Sequence, residues 1–400
     1  MPVFSEDEMT NSLGCGLLGR GLPMAVALVL VLAALAPGQT FATLYNFTNG
    51  PDGGFPLAAL LQDKAGHLYG TTLYDNGSGY GVVFKLNTSG TEIVLHTFSG
   101  TDGENPESPL VRDSIGNLYG TAHGGGAYNY GSVFKIDTAG TETTVHSFRG
   151  GTRDGCFPAQ GLVTDKSGNL YGTTSLCGTY GNGTVFKLDS AGKMTILHSF
   201  APNSSLPQGG HLVRDKSGNL YGVTYGGGSN ACPNGCGVLY KLSTNRTFTV
   251  LHRFAGGISD GCWPYGTVSM DEAGNLYGTT WSCGAPGNGI VWKVSKGGKE
   301  TILHSFAGGV SDGCTAYAGV VRDSHGNLYG TTMGCGAHNW GTVFKLDSGG
   351  KETLLHSFAG DTEDGAVPYG EVLRTTSGKL FGTTFYGGSV GSGTVWSYTP

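Results

Sequence analysis

Residues 168–200 read GNLYGTTSLCGTYGNGTVFKLDSAGKMTILHSF, and three signatures inside this stretch recur along the chain. The first, LYGT, has an aromatic residue at seven places spaced 50, 52, 50, 56, 52 and 52 residues apart: Tyr69, Tyr119, Tyr171, Tyr221, Tyr277, Tyr329 and Phe381. The second, GTVFKL, follows by 15 residues in six copies and by 19 in the fourth, and LHSF follows GTVFKL by 14. Such fixed spacings indicate seven copies of one structural unit.

Each copy predicts four short strands, of the types GLVRD, NLYGTT, GTVFKLD and ETILHSF. Tight turns join the first strand to the second and the third to the fourth. Longer loops make the other two connections, at 148–161 and 175–183 in the third copy. In an antiparallel sheet the long loops share one edge, which we call the long-loop face. We expect glycines such as Gly172 to lie where neighbouring backbones come close.

The sequence therefore predicts an all-β fold, a seven-bladed β-propeller of four-stranded blades. One LHSF-type strand, at 42–47, precedes the first complete copy, and a GTVFKL-type strand at 393–398 ends the last. If these two strands pair, every sheet has four strands and the ring is closed. A β-solenoid or superhelical stack is the alternative, but it would gain nothing from such complementary ends.

Residues 21–36 form an apolar stretch that follows Arg20 and precedes the small residue Gly38. This layout is typical of a secretory signal peptide at 1–38, which leaves one propeller domain at 39–400. An uncleaved membrane anchor is the alternative, and Met9 and Met24 are alternative start positions. We expect a monomer that is secreted, periplasmic or in the cell envelope, without a transmembrane helix after cleavage. The formal net charge of −6, with no run of Lys or Arg, argues against a nucleic-acid partner.

Eight of the nine cysteines follow the predicted signal peptide. Three pairs have the same spacing of 21 residues, and copies that lack the first cysteine of such a pair also lack the second. We therefore predict the disulfides Cys156–Cys177, Cys262–Cys283, Cys314–Cys335 and Cys232–Cys236. Disulfides persist in oxidising compartments, which agrees with export. Zinc binding is the alternative. The sequence has no two Cys-x-x-Cys pairs that could face each other, and Cys232 and Cys236 lack two further obvious ligands, so we expect no metal at the cysteines.

Six loops contain Asp-Gly at matching places: Asp52, Asp102, Asp154, Asp260, Asp312 and Asp364. One interpretation is a ring of carboxylates around one mouth of the channel, which would bind a cation such as calcium, or sugar hydroxyls. The other is that each Asp makes its turn, with the carboxylate accepting backbone N–H groups. The turn is favoured, because a repeated feature is expected to be structural.

Aromatic residues that depart from the repeat crowd the long-loop face, among them the candidate ligand-binding residues Trp263, Trp281 and Trp340. Such rings stack on sugars or anchor loops. The six histidines of the LHSF signatures are interpreted as packing residues, because each lies on the outer strand of a different blade: His96, His146, His198, His252, His304 and His356.

The linked signatures GNLYGTT, GTVFKLD and ETILHSF resemble the GloVer-type repeat of exported bacterial proteins, also called choice-of-anchor repeat proteins. The resemblance covers residues 41–400. It implies a bacterial secreted or envelope protein, and it carries no established activity or site residues.

Three functions are compatible with these observations. The first is a module that binds a ligand or partner through the long-loop face, with an extracellular glycan or an envelope protein as the partner. The second is a polysaccharide hydrolase or lyase with an acidic site at the channel mouth, and the third is a purely structural envelope protein. No catalytic motif is evident, so we name no catalytic residues and expect no cofactor, with calcium as the one candidate ion.

Overall fold

The computed structural model describes residues 38–158, 160–202 and 209–400. These residues form seven four-stranded antiparallel sheets in the arrangement of a β-propeller, as predicted. The predicted signal peptide lies outside the described residues apart from Gly38. Within the described ranges, no helix has the length and apolar character needed to cross a membrane.

The strands follow the repeat. The first, β1 (Thr40–Asn46), belongs to blade 7. Blade 1 contains β2 (Leu61–Gln62), β3 (Leu68–Thr72), β4 (Val82–Leu86) and β5 (Glu92–Thr97), and blade 2 contains β6 (Val111–Arg112), β7 (Leu118–Ala122), β8 (Ser132–Ile136) and β9 (Glu142–Ser147). Blade 3 contains β10 (Gly155–Cys156), β11 (Val163–Thr164), β12 (Leu170–Thr174), β13 (Leu176–Cys177), β14 (Thr184–Leu188) and β15 (Met194–Ser199). Blade 4 contains β16 (Gly209–Arg214), β17 (Leu220–Thr224), β18 (Val238–Leu242) and β19 (Phe248–Arg253).

The last three blades also carry short extra strands. Blade 5 contains β20 (Gly261–Cys262), β21 (Ser269–Met270), β22 (Leu276–Thr279), β23 (Ser282–Cys283), β24 (Ile290–Val294) and β25 (Glu300–Ser305). Blade 6 contains β26 (Gly313–Cys314), β27 (Val321–Arg322), β28 (Leu328–Thr332), β29 (Gly334–Cys335), β30 (Thr342–Leu346) and β31 (Glu352–Ser357). Blade 7 contains β32 (Gly365–Ala366), β33 (Leu373–Arg374), β34 (Leu380–Thr384), β35 (Tyr386–Gly387) and β36 (Thr394–Thr399).

The ring is closed by the two ends of the propeller. β1 pairs antiparallel with β36, with Thr43 opposite Trp396 and Asn46 opposite Thr394, and completes the sheet β1-β36-β34-β33. The predicted pairing of 42–47 with 393–398 is thus confirmed, with strand bounds shifted by one or two residues.

The interfaces between blades are filled by alternating side chains of the GTVFKL strand. Val185 on β14 packs with Phe200 in the core shared with blade 4. Phe186, the next residue, packs with Phe148 in the core shared with blade 2. The rings of Phe148 and Phe186 meet edge to face at 5.3 Å. Successive residues point to opposite faces of a strand, so one strand contributes to two cores.

The glycine of LYGT makes room for a side chain. A Cβ atom placed on Gly172 would lie 2.6 Å from the Phe186 ring and 2.9 Å from the Leu162 side chain. The expectation that neighbouring backbones come close here is therefore wrong. Glycine is needed because the large ring of the paired strand lies across its face.

In six of the seven blades, one residue in the loop that precedes the inner strand has a left-handed backbone although it is not glycine. The φ angles are 60° at Phe55, 53° at Asn105, 58° at Phe157, 59° at Trp263, 56° at Thr315 and 55° at Val367. In blade 7, the Val367 N–H donates to the Trp340 carbonyl of blade 6 at 2.9 Å, and the Val367 carbonyl accepts the Phe385 N–H of its own blade at 3.1 Å. The other five form equivalent bonds. The strained residue therefore joins two blades through its backbone.

The four predicted disulfides are present. Cys156–Cys177, Cys262–Cys283 and Cys314–Cys335 have Cα separations of 5.4 to 5.5 Å, and Cys232–Cys236 has 5.0 Å. Each of the first three pairs joins the two short strands of a ladder on the long-loop face, as β10 and β13 do in blade 3.

The second cysteine of each such pair occupies a position that requires positive φ. The φ angle is 64° at Cys177, and glycine takes the same place in three of the four copies without this bridge, with 65° at Gly125, 78° at Gly227 and 80° at Gly387. Glycine adopts this conformation without strain, whereas other L-residues do not. In six copies this position is therefore glycine or a disulfide-bonded cysteine, and the first copy has Asp75 instead.

Exchanging residue types between two strained positions tests the cost of the left-handed backbone. Val367→Asn should raise the free energy of unfolding by about 1 kcal/mol, because asparagine tolerates positive φ better than a β-branched residue. Asn105→Val should lower it by a similar amount. Urea unfolding midpoints measure both changes, and a lower midpoint for Val367→Asn would contradict the argument.

A second comparison separates the bridge from the backbone at Cys177. Cys156→Ser with Cys177→Gly should lose about 3 kcal/mol relative to the native chain, because the loop is no longer closed. Cys156→Ser with Cys177→Ala should lose about 1 to 2 kcal/mol more, because alanine is strained at positive φ. Equal stabilities of the two double variants, measured by chemical unfolding, would show that φ at this position does not matter.

Candidate functional site

The six Asp-Gly carboxylates lie beside the outermost strands of the blades. Five are paired with the histidine of the preceding LHSF signature: His96–Asp102 at 2.9 Å, His146–Asp154 at 3.2 Å, His252–Asp260 at 3.3 Å, His304–Asp312 at 3.3 Å and His356–Asp364 at 3.0 Å. Asp52 accepts the Tyr45 hydroxyl at 3.0 Å instead. None of the six lines the central cavity. The structure therefore does not place these carboxylates in a ring around the cavity, which was the less favoured interpretation, and ligand binding by these residues stays a prediction.

The same carboxylates order their turns. Asp154 accepts the backbone N–H groups of Arg149 at 3.0 Å and Gly155 at 2.9 Å. Asp364 likewise accepts those of Ala359 and Gly365. These are the bonds expected from the turn interpretation.

The histidines do more than pack, and the sequence analysis missed their partners. The sequence contains a pattern that could have predicted the pairing of histidine with aspartate. Asp154 follows His146 by eight residues, and the same separation recurs in three further copies. At three junctions a glutamate from the next blade joins the pair: Glu142, Glu300 and Glu352. Burial and the nearby Asp312 raise the pKa of Glu352 to about 8, and burial raises that of Glu300 to about 7.

The three candidate tryptophans do not share one environment. Trp340 is 44% exposed and lies over Gly360 at the rim, in the repeat position that Tyr130 occupies in blade 2. Trp263 and Trp281 lie closer to the axis, with ring centroids 5.8 Å apart. The Trp263 indole N–H donates to the Gly235 carbonyl at 3.1 Å, so this ring is anchored.

Trp263 and Trp281 belong to a continuous row of rings on the long-loop face, which we call the aromatic arc. Consecutive ring centroids in it lie 4.5 to 6.3 Å apart. It comprises Tyr225, Trp263, Trp281, Tyr265, Tyr317, Tyr369, Phe385 and Phe55. The arc spans parts of five blades and brings Tyr265, Tyr317 and Tyr369 to the central cavity.

The central cavity is lined by one short segment from every blade. Its lining comes from three consecutive positions in each copy, just before the apolar residue that recurs in the GLVRD strands. In blade 5 these positions are 265–267, directly before Val268. The lining includes Leu57, Glu107, Gln160, His211, Tyr265, Thr267, Tyr317, Tyr369 and Glu371. The space open to the centre of a water molecule is about 60 Å³. The cavity therefore has room for water molecules.

These three positions differ between the copies, whereas the residues around them repeat. At the first, blade 2 has Glu107 and blade 5 has Tyr265; at the third, blade 4 has His211 and blade 7 has Glu371. The sequence analysis missed Glu107, His211 and Glu371, although their departure from the repeat was visible. What the sequence did not show is that these departures meet at the axis.

Glu371 forms a contact across the cavity. Its Oε1 accepts the Thr267 N–H at 2.9 Å, which joins blade 7 to blade 5 past blade 6. Blade 6 has Gly319 here, and a Cβ on this residue would lie 2.5 Å from that oxygen. The Thr267 hydroxyl in turn bonds to His211 Nδ1 at 2.8 Å. Burial together with the neighbouring Tyr265 and the Glu107 carboxylate raises the pKa of Tyr317 well above its usual range.

A family model described as Gloeobacter/Verrucomicrobia repeat matches residues 31–232 and 158–396. The chain belongs to the Gloeobacter/Verrucomicrobia repeat family. This confirms the resemblance seen in the sequence. In this member of the family the repeat builds the blades, and its exceptions gather around the axis.

Similar solved structures are distant in sequence. The extracellular domain of a chain described as a hybrid two-component system of Bacteroides thetaiotaomicron has a TM-score of 0.55 and 14% identity, over 91% of this chain and 41% of that one. The extracellular domain of a chain described as a one-component system from the same organism has a TM-score of 0.54 and 9% identity, over 89% of this chain and 39% of that one. A chain described as a 6-phosphogluconolactonase of Bacteroides uniformis has a TM-score of 0.50 and 17% identity, over 82% of this chain and 89% of that one.

These likenesses show the fold alone. The chain spans about two fifths of the length of the two Bacteroides thetaiotaomicron chains it matches. The comparison with curated proteins gave no match.

Removing the Glu371 carboxylate tests the contact across the cavity in this repeat-family member. Glu371→Ala should lower the free energy of unfolding by about 1 to 3 kcal/mol, because the Thr267 N–H loses its acceptor. Glu371→Gln keeps an oxygen acceptor and should lose less. Glu363→Ala, at an exposed site, is the control and should change stability by less than about 0.5 kcal/mol. Equal chemical-unfolding midpoints for all three variants would contradict the assignment.

Proposed function

We propose that this protein is an exported carbohydrate-binding propeller whose ligand lies over the channel mouth on the long-loop face. One observation carries the proposal: the positions that differ between the copies converge at the axis, where they place Glu107, His211 and Glu371 beside Tyr265 and Tyr317. A fold gives no function by itself, so a site is sought where the sequence departs from what the fold requires.

The chemistry of these residues suits a sugar. Tyrosine and tryptophan faces pack against the C–H faces of sugar rings, while carboxylates and histidine bond to hydroxyls. Trp281 and Phe385 in the aromatic arc are only partly buried, so they retain surface for such a contact. The arc and the polar cavity residues together provide both kinds of contact on one face.

The distribution of exposed apolar side chains supports the choice of face. Ten large apolar side chains are exposed among the described residues, and eight of them lie in the loops of the long-loop face: Tyr128, Tyr130, Leu176, Tyr180, Ile258, Val310, Trp340 and Val390. Exposed apolar side chains that lie on one side of a protein are a feature of binding faces. This one-sided distribution also supports a binding role over a purely structural one.

The carboxyl groups at the cavity support binding over hydrolysis. Glycoside hydrolysis uses two carboxyl groups placed on either side of the glycosidic bond. Glu371 accepts the Thr267 N–H at 2.9 Å, and a Glu107 carboxylate oxygen lies 3.1 Å from His123 Nδ1, so both glutamates of the lining already contact protein groups.

An exported location fits the disulfides, which persist in oxidising compartments. The fold likeness to two extracellular propeller domains points the same way. We propose a secreted, periplasmic or envelope location, with calcium as a possible ion of the long-loop face and an extracellular glycan or envelope protein as the partner.

A glycan array with purified residues 39–400, run with and without calcium, tests this function. We expect the native chain to retain a defined class of glycan. Trp281→Ala and Glu107→Gln should each weaken binding about tenfold, which corresponds to loss of one stacking or hydrogen-bonding contact of about 1.4 kcal/mol.

Trp340→Ala is the matched control, because this ring lies at the rim on Gly360, and it should change affinity less than twofold. Loss of binding in Trp340→Ala alone would move the site from the axis to the rim. A native chain that retained no glycan under either condition would overturn the carbohydrate proposal.

A further inference from the structure

We propose that two junctions between neighbouring blades each bind a divalent transition-metal ion of the zinc type through one histidine and two carboxylates. The rim sites, as we call them, consist of His252, Asp260 and Glu300 between blades 4 and 5, and of His304, Asp312 and Glu352 between blades 5 and 6. In each, the histidine and aspartate come from one blade and the glutamate from the next. These sites lie at the outer edge and are independent of the channel mouth.

The distances between the ligand atoms fit an ion better than direct hydrogen bonds. His252 Nε2 lies 3.3 Å from Asp260 Oδ2 and 3.6 Å from Glu300 Oε1. In the second site His304 Nε2 lies 3.3 Å from Asp312 Oδ2 and 3.7 Å from Glu352 Oε2. Tetrahedral ligands at zinc bond lengths of about 2.0 to 2.2 Å are about 3.3 to 3.6 Å apart. N–H···O hydrogen bonds are usually shorter than about 3.2 Å.

A buried oxygen without a partner provides the second indication. Glu300 Oε1 and Glu352 Oε1 are buried and have no hydrogen-bond partner among the described residues. The Glu352 side chain is only 10% exposed. Glu300 Oε1 is the same atom that faces His252, so its unused lone pairs point into the first cluster. In the second site Glu352 Oε2 faces His304, and the unpartnered atom is the other oxygen of that carboxylate. Burying an unpaired carboxylate oxygen is costly, and a cation would remove that cost.

The aspartates are already oriented for ligation. Asp260 accepts the backbone N–H groups of Ala255 at 2.7 Å and Gly261 at 2.6 Å. Such bonds hold a metal-binding carboxylate in place while leaving it further lone pairs. Histidine nitrogen with two carboxylate oxygens is a donor set that zinc accepts, with water in the remaining position.

The other junctions lack one of these features. At the junction of blades 1 and 2, His96 bonds directly to Asp102 at 2.9 Å and Glu142 accepts the Thr144 hydroxyl, so no lone pair is left unused in the same way. At the junction of blades 7 and 1 the glutamate is Glu92, but Tyr45 takes the place of the histidine beside Asp52. At the other three junctions the third position is not a ligand. The Phe41 ring stacks on His356 with centroids 3.6 Å apart, and the Phe248 ring stacks on His198 with centroids 4.2 Å apart. Met194 takes the equivalent sequence position at the junction that contains His146. The chain thus contains its own control junctions.

Zinc content measured by mass spectrometry tests the proposal. Residues 39–400 are stripped of metal and then dialysed against buffered zinc. The native chain should bind two more zinc ions per chain than the double variant Glu300→Gln, Glu352→Gln. Each single variant should retain one fewer than the native chain. Glu142→Gln should retain as many as the native chain. Zinc should also raise the thermal midpoint of the native chain and not that of the double variant.

Equal zinc content in the native chain and the double variant would overturn the proposal, and the junctions would then be carboxyl pairs that share a proton. Circular dichroism in metal-free buffer checks that the variants fold. If the glutamine variants do not fold, His252→Gln and His304→Gln replace them, with His356→Gln as the matched control. Failure of zinc binding would leave glycan binding at the channel mouth unaffected, so the two proposals fail separately.

Discussion

The pairing of β1 with β36 is the constraint on which the rest of the structure depends. Each blade covers one face of the next, so an open ring would leave two apolar sheet faces in water. Because Thr43 lies opposite Trp396, the first strand of the chain becomes the outer strand of the last blade. The core between blades 7 and 1, which contains Phe47, Phe84 and Val395, is then as closed as any other. Hydrophobic burial is continuous around the ring only because of this register.

A closed ring also determines at which positions residues that differ between the copies can meet. Rotation about the axis superimposes equivalent positions, so a residue on the outer strand stays far from its six counterparts while a residue before the inner strand meets them. The repeated Asp-Gly carboxylates are therefore dispersed, and single departures such as Glu107 and Glu371 come together. Gly319 shows how closely these segments approach, because any side chain there would occupy the path of Glu371 to Thr267.

The sequence predicted the elements that depend on local pattern or on comparison between copies. Constant lengths predicted the strands, and the joint presence or absence of Cys156-type and Cys177-type residues predicted the disulfides. It could not show that Cys177 replaces a glycine because φ is 64°, since a dihedral angle is not visible in residue type. It also did not show which side chains meet between strands. The contact of Glu300 with His252 joins two blades, and the contact of Gly172 with the Phe186 ring joins two paired strands of one blade, and both depend on the three-dimensional packing.

The junctions between outer strands use two different kinds of contact, and their costs differ. Where Phe41 or Phe248 packs on the histidine of the neighbouring blade, ring stacking buries apolar surface with no carboxylate to desolvate. Where Glu300 or Glu352 takes that position, two carboxylates are brought together at a partly buried site, and both desolvation and mutual repulsion oppose folding. The aromatic junctions show that the fold does not need the glutamate. At the two proposed rim sites a bound cation would offset this cost by pairing with both carboxylates and the imidazole at once.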